Sequence, residues 1–176
     1  GFQLTGGGSG AWAGWSVSSA GDVNHDGIED IIVGSTRTPA GNQPNVGSAP
    51  VVFGGQGLTG RLPLNDVGDA IDGFQLLGAA GHDWTGSSVS TAGDINGDGI
   101  DDLLVGAFRS SADGANAGAS YIVYGDQGLS GTLSLGDIGG SLDGFKLTGE
   151  MTGDFSGGSV SSAGDINGDG IDDFVI

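Results

Sequence analysis

The sequence predicts an all-β protein built from repeated four-stranded units. The nine-residue pattern Asp-x-Asn-x-Asp-Gly-Ile-x-Asp occurs three times, starting at Asp22, Asp94 and Asp165, so the copies lie 72 and 71 residues apart. Short aliphatic runs such as Ile31-Ile32-Val33 recur in register with this pattern. No segment has the apolar spacing typical of a helix. Self-similarity at one fixed period indicates an array of structural repeats.

Each unit contains four short runs with β character. In the second unit we place these strands near residues 86–92, 101–107, 118–125 and 144–149. The first run is rich in small residues and suits an inner strand. The next two are aliphatic and suit a sheet buried on both faces, and the Phe-x-Leu run suits an outer strand. Four antiparallel strands repeated radially are typical of a β-propeller blade, and a β-sandwich is the structural alternative.

The unit boundaries predict two complete blades with a partial blade at each end. We place the end of one repeat at residues 1–13, full repeats at 14–85 and 86–156, and the start of another at 157–176. Residues 57–72 and 128–143 are interpreted as long surface loops in which a few apolar side chains pack against the protein. Because propellers have about 4–8 blades, we expect further copies of the repeat, in cis or in trans, to close the ring.

Composition limits the classes of partner. The chain has 176 residues, 40 of them Gly, with 22 acidic and four basic residues and a net charge of −18. Such a charge argues against binding nucleic acid or an anionic membrane surface. No apolar run approaches the roughly 20 residues needed for membrane insertion. Without Cys, the chain forms no disulfides.

The stretch from Gly86 to Gly106 resembles an FG-GAP repeat, the unit that builds the β-propeller of integrin α subunits. The bacterial versions of this repeat resemble the chain more closely. The family's Phe-Gly is altered, because an aromatic residue lies two positions before the Gly in Trp12-Ala13-Gly14 and Trp84-Thr85-Gly86. The family's Gly-Ala-Pro is also altered, to Gly106-Ala107-Phe108 in the second unit.

The resemblance implies that the three loops bind Ca²⁺, about one ion per loop and three in all. Side chains at positions one, three, five and nine and the carbonyl at position seven would be the ligands. These residues are Asp22, Asn24, Asp26, Ile28 and Asp30 in the first loop, Asp94, Asn96, Asp98, Ile100 and Asp102 in the second, and Asp165, Asn167, Asp169, Ile171 and Asp173 in the third.

Loop chemistry agrees with calcium. Calcium takes six to eight oxygen ligands in flexible geometry, whereas magnesium demands a near-ideal octahedron. Zinc and copper prefer nitrogen or sulfur, and His25 is the one such side chain in the loops. An EF-hand would need Glu at position twelve, where the first loop has Val33. A turn without metal is the plain alternative.

Several other residues admit two interpretations. We expect the position-eight acids Glu29, Asp101 and Asp172 to be exposed, because adjacent strand residues point to opposite faces. The three tryptophans, Trp12, Trp15 and Trp84, are interpreted as blade packing, with sugar stacking as the alternative. Ser-rich runs recur in every copy, which favours a structural role over a single nucleophile.

These features favour a calcium-binding propeller segment of a secreted or cell-surface protein that acts as an adhesion or binding scaffold. We expect a protein or glycan ligand and no enzymatic activity. One alternative is the propeller portion of a larger extracellular hydrolase or lyase. Another is a self-assembling structural module, because unpaired strand edges promote association.

Overall fold

The computed structural model describes residues 1–176 and is all-β, with two short 3-10 helices, at Leu64–Asp66 and Leu135–Asp137. The strands are β1 (Phe2–Thr5), β2 (Ala13–Gly21), β3 (Asp30–Ser35), β4 (Ser48–Val52), β5 (Gly60–Pro63), β6 (Gly73–Leu77), β7 (Ser88–Gly93), β8 (Asp102–Ala107), β9 (Ala119–Val123), β10 (Gly131–Ser134), β11 (Gly144–Thr148), β12 (Ser161–Gly164) and β13 (Asp173–Val175).

Two antiparallel sheets have the architecture of propeller blades. In the first blade the strands lie in the order β6-β4-β3-β2, and in the second in the order β11-β9-β8-β7. The four strands of the second blade coincide closely with the runs predicted from the sequence. Strands β12 and β13 form an antiparallel pair that repeats the pairing of β7 with β8. The all-β fold class and antiparallel blades are therefore confirmed.

Small residues allow the inner strands of neighbouring repeats to pack together. Strand β2 packs against β7, and β7 packs against β12. The Ser16 hydroxyl donates a hydrogen bond to the Gly86 carbonyl at 2.9 Å, and Ser88 donates to the Gly157 carbonyl at 2.8 Å. The serines of the inner runs therefore connect successive repeats.

The connections between repeats contain strands, which differs from the expected surface loops. Strand β10 pairs in parallel with β6 of the preceding blade, from Gly131 opposite Phe74 to Ser134 opposite Leu77. Strand β5 pairs with β1 in the same way. The first blade therefore has a fifth, parallel strand supplied by the following repeat. Alternating leucines give these segments the period of a strand, but their partner lies in another repeat.

The main core lies between the blades. It contains Phe74 and Leu76 from the first blade, Leu103 and Tyr121 from the second, and Leu135 from the connection. All five side chains are almost completely buried. Each blade thus covers the apolar face of its neighbour. The structure contains no helix with the length and apolar character required to cross a membrane.

Candidate functional site

The three acidic loops occupy equivalent places in successive repeats. They connect β2 to β3, β7 to β8, and β12 to β13. Because the inner strands of the repeats pack side by side, the loops follow one another along the same end of the blades. The opposite ends of these strands carry the aromatic residues that precede each repeat's Gly.

The aspartate at position one organises each loop through backbone hydrogen bonds. In the first loop the Asp22 carboxylate accepts from the N–H groups of Asp26 and Gly27, both at 2.9 Å. Asp94 and Asp165 accept from the corresponding N–H groups of their own loops. Backbone donors, chiefly Gly170, lower the pKa of Asp165, because they favour the charged carboxylate.

Positions three and five follow the same pattern. The Asn24 side-chain oxygen accepts from Asp26 N–H at 3.0 Å, and the Asp26 carboxylate accepts from Ile28 N–H at 2.8 Å. The equivalent bonds form in the second and third loops. Each polar side chain therefore closes a small turn of its own loop, as Asn and Asp side chains commonly do.

The aspartate at position nine is buried and joins the loop to the next strand pair. Asp30 is 1% exposed, and its carboxylate accepts from Val23 N–H at 3.1 Å and Gly54 N–H at 2.8 Å. Burial raises the pKa of Asp30 to about 6, although these two hydrogen bonds act to lower it. In the second loop Asp102 makes the same pair of bonds, to Ile95 and Gly125, and burial raises its pKa to about 6.

The third loop departs from this arrangement at position nine. Asp173 is half-buried and accepts from Ile166 N–H at 3.1 Å. Its carboxylate also accepts from the Asn167 side chain at 3.3 Å, whereas the Asn24 side chain donates to Asp26. The structure contains no group of three or more His, Cys, Asp and Glu side chains placed to hold a metal ion. The carboxylates are instead directed towards backbone N–H groups.

The acid at position eight links one loop to the preceding loop, which sequence reasoning missed. The Asp101 carboxylate accepts from Asp22 N–H at 2.8 Å, and the Asp172 carboxylate accepts from Asp94 N–H at 3.1 Å. The sequence predicts exposed side chains at this position, but Asp101 and Asp172 are both half-buried. Only Glu29 of the first loop is exposed, and it accepts from the Ser19 hydroxyl at 2.8 Å.

A glycine before each loop makes room for this contact. Gly21 has φ of +74°, and a Cβ added there would lie 2.3 Å from an Asp101 carboxylate oxygen. Gly93 has φ of +73°, and its added Cβ would lie 2.1 Å from a carboxylate oxygen of Asp172. Glycine before each of these loops therefore allows both the left-handed backbone conformation and the close approach of the acid from the next repeat.

The tryptophans at the opposite strand ends are more exposed than blade packing predicts. Trp12 is 40% exposed and Trp15 is 52% exposed. Their rings stack on each other, with centroids 5.4 Å apart. Trp84 is half-buried and meets Trp12 edge to face at 5.9 Å.

Comparison with known families agrees with this repeat geometry. A model of the FG-GAP repeat matches residues 13–52 and 85–123. The first match covers β2 to β4 and the second covers β7 to β9, so each contains one acidic loop. The chain carries FG-GAP repeats. The two matches begin 72 residues apart, which is the spacing of the first two acidic loops.

Proteins with similar FG-GAP regions fall into two groups. The chain is 38% identical to integrin alpha-2 of Mus musculus over 91 residues, which are 52% of this chain and 7% of that protein. It is 34% identical to integrin alpha-PS5 of Drosophila melanogaster over 175 residues, 95% of this chain and 15% of that protein. It is 30% identical to phosphatidylinositol-glycan-specific phospholipase D of Bos taurus over 167 residues, 93% of this chain and 18% of that protein.

These alignments span most of the FG-GAP chain but a small part of each relative. The chain covers less than one fifth of the length of any of these three proteins. The similarity extends to proteins named as integrins and to a protein named as a phospholipase. It therefore supports an integrin-like FG-GAP propeller fold for this chain.

Proposed function

We propose that this chain is a calcium-binding β-propeller segment of a secreted or cell-surface protein, where it acts as an adhesion or binding scaffold. The observation that supports this function is the repetition of one loop design in three repeats. In each loop the side chains at positions one, three and five accept the same backbone hydrogen bonds.

The donor chemistry of the loops suits a hard cation. The side chains at positions one, five and nine offer carboxylate oxygens, and position three offers an amide oxygen. A carboxylate oxygen that accepts one backbone hydrogen bond keeps a second lone pair. Calcium would be held by these oxygens together with the carbonyls of Ile28, Ile100 and Ile171. It would also offset part of the net charge of −18.

An extracellular setting follows from this proposal. Calcium sites of extracellular modules are adapted to ion concentrations near the millimolar range. At a calcium concentration one hundred times Kd, each site would stabilise the fold by about 2.7 kcal/mol. Similarity to integrin alpha chains supports the same setting.

Calorimetry and thermal melting test the proposal together. Titration of the full chain with Ca²⁺ is expected to give three ions per chain, with much weaker binding of Mg²⁺. Chelation by EGTA is expected to lower Tm by many degrees, and added Ca²⁺ should restore it. An unchanged melt after complete removal of calcium would refute the calcium part of the proposal.

Strand edges support the expectation that further repeats complete the propeller. Strand β6 has a partner on each side, β4 and β10, whereas the equivalent strand β11 pairs only with β9. A further repeat would supply β11 with a parallel strand like β10. This contact would be made in cis or in trans, and light scattering at increasing concentration separates the two.

The phospholipase similarity favours one second candidate, a propeller portion of a larger extracellular hydrolase. The chain aligns with that protein over 93% of its own residues. We place no catalytic residue in the chain itself, because its carboxylate and serine motifs recur in every repeat. Assays of the full-length parent protein on phosphodiesters and polysaccharides would decide between scaffold and hydrolase.

A further inference from the structure

A row of aromatic rings and guanidinium groups crosses the repeats at the end of the strands opposite to the acidic loops. We define this aromatic–arginine row by Trp12, Trp15, Arg37, Trp84, Phe108 and Arg109. Trp12 immediately precedes β2, and Arg37 lies two residues after β3. Trp84 and Arg109 occupy the corresponding places in the next repeat, so the row has the same period as the loops.

Each arginine contacts two aromatic rings, and the Trp84 ring contacts both arginines. The Arg37 guanidinium carbon is 3.6 Å from the Trp12 ring centre and 5.2 Å from that of Trp84. The Arg109 carbon is 4.5 Å from the Trp84 ring centre and 5.8 Å from that of Phe108. Such contacts attract a cation to the face of a ring.

The backbone holds both arginines in the same way. Arg37 N–H donates to the carbonyl of Ala11 at 3.0 Å, and Arg109 N–H donates to the carbonyl of Asp83 at 3.3 Å. Ala11 and Asp83 are the residues immediately before Trp12 and Trp84. The arginine and the tryptophan of one repeat are therefore positioned together.

Backbone conformation marks this row as unusual. Trp12 and Trp84 both have φ of +56°, and Phe155, at the same place in the third repeat, has φ of +54°. A bulky residue rarely adopts the left-handed region. Strained residues of this kind concentrate at functional sites. The strain recurs in all three repeats and keeps an aromatic ring at each strand end.

Charge distinguishes the row from the rest of the molecule. The net charge of −18 opposes polyanions over the molecule as a whole, whereas the row itself contains two arginines and no acidic residue. The chain has four basic residues, and two of them are in the row. The one ion pair in the structure joins Lys146 to Asp113 at 3.8 Å. Arg37 and Arg109 therefore have no carboxylate partner in a chain with 22 acidic residues. A guanidinium stacked on a ring keeps in-plane N–H groups for a bidentate carboxylate. The Nε of Arg37 is buried without a partner, so the two terminal nitrogens of this residue would make the contact.

We propose that the aromatic–arginine row binds an acidic polysaccharide. Uronate carboxylates would pair with the guanidinium groups of Arg37 and Arg109, and the apolar face of a sugar ring would lie on Trp15, which is 52% exposed. No residue of the row lines any of the five main surface cavities, so an extended chain fits the row better than a small molecule. One such arginine in each of the two complete repeats suits a polymer whose carboxylates also recur.

This inference rests on the proposed function as a binding scaffold and names the ligand class. Its test is the binding of the full chain to hyaluronate, a soluble polymer that contains glucuronate, in calcium-containing buffer. The double variant Arg37→Gln/Arg109→Gln is compared with Arg61→Gln/Lys146→Gln, which removes the same charge from outside the row. Affinity is expected to fall roughly tenfold or more in the row variant, and by less than about twofold in the control.

A second variant keeps the test decisive if the glutamine variant unfolds. Arg37→Lys/Arg109→Lys preserves the charge but removes the planar fork. It is expected to retain the fold, checked by thermal melting, and to bind hyaluronate several-fold more weakly. Hyaluronate affinity unchanged in this variant would overturn the proposal, as would an equal loss of affinity in the row variant and its control.

Alternative polymers identify the ligand class. Dextran, which is neutral, is expected not to bind, and equal affinity for dextran would overturn a role for carboxylates. Tighter binding of poly-glutamate than of hyaluronate would overturn the polysaccharide in favour of an acidic protein partner. Calcium binding without any polymer binding would refute this inference alone. Polymer binding without calcium binding would refute the calcium part of the proposed function.

Discussion

The Asp101 carboxylate in the second repeat accepts a hydrogen bond from the backbone N–H of Asp22 in the first, at 2.8 Å. Asp172 makes the same bond to Asp94 one repeat later. Asp22 and Asp94 are also the first residues of their acidic loops. In the first two loops, the contact between repeats therefore uses the backbone N–H of the first candidate metal ligand.

Removal of this contact is expected to destabilise the protein. Asp101→Ala should lower the free energy of unfolding by about 1–2 kcal/mol, because the variant leaves a half-buried N–H without its charged acceptor. Glu29→Ala is the matched control, since Glu29 has the same place in the first loop but is exposed. Chemical denaturation in saturating calcium measures both. Equal losses in the two variants would show that the Asp101 bond contributes nothing specific.

Gly21 and Gly10 separate backbone strain from steric conflict. Both have positive φ, +74° and +82°, but an added Cβ meets the Asp101 carboxylate at Gly21 and nothing within 4 Å at Gly10. Gly10→Ala should cost about 1 kcal/mol for the left-handed backbone. Gly21→Ala should cost at least about 1 kcal/mol more through overpacking. Thermal melts that rank the two variants equally would contradict the close approach of Asp101.

One loop can be disabled without the others. Asp98→Ala is expected to reduce bound calcium from three ions to two by calorimetry, because position five loses its carboxylate. Asp126→Ala is matched to it, because Asp126 is also exposed and also accepts one backbone N–H, that of Gly128 at 2.7 Å. That control should still bind three ions. Binding of three ions by Asp98→Ala would show that Asp98 is not a calcium ligand.

The connection between repeats is expected to contribute strongly to stability. Leu135 is 1% exposed in the main core, so Leu135→Ala should cost about 2–5 kcal/mol. Leu147 in β11 is 38% exposed, and Leu147→Ala should cost less than about 1 kcal/mol. Urea denaturation compares them. A small loss of stability in Leu135→Ala would indicate that residues 128–143 form a peripheral surface loop, as the sequence predicts.

A buried aspartate outside the loops predicts a dependence on pH. Asp83 is 5% exposed, and burial raises its pKa, against the attraction of Lys146. The folded protein therefore favours the protonated form of Asp83. The free energy of unfolding falls as pH rises above 3.8, the ordinary pKa of this carboxyl, because the buried group must then ionise. Asp83→Asn should raise Tm at neutral pH and change it little below that value.

Asp154→Asn is the control for this pH profile. Asp154 occupies the equivalent place in the third repeat but is exposed. The difference in Tm between this variant and the unmodified chain should be small and independent of pH. A Tm gain for Asp83→Asn that persisted unchanged at acid pH would show that ionisation of Asp83 is not its cause.

Much of the fold could be predicted from the sequence because its signals are local. The aliphatic run at Leu103-Leu104-Val105 alone predicts a buried strand, and the structure places β8 there. The loop residues Asp94, Asn96 and Asp98 lie within five positions, so their turn geometry is determined almost entirely by the chain between them.

The missed features all involve contacts between repeats. Asp101 meets Asp22 at a separation of 79 residues, and β10 finds its partner in β6. Self-alignment contained one unused signal, since Arg37 and Arg109 follow the glycines Gly34 and Gly106 at the same offset. That offset alone did not predict which rings the arginines would meet.

The sequence by itself determined the repeat, its strands and the oxygen chemistry of its loops, because period and turn geometry act over a few residues. Only the tertiary structure decided which acids join successive loops, which strand completes a blade and which face presents the arginines. Those features depend on how one repeat packs against the next, and side chains distant in sequence become neighbours only through that packing.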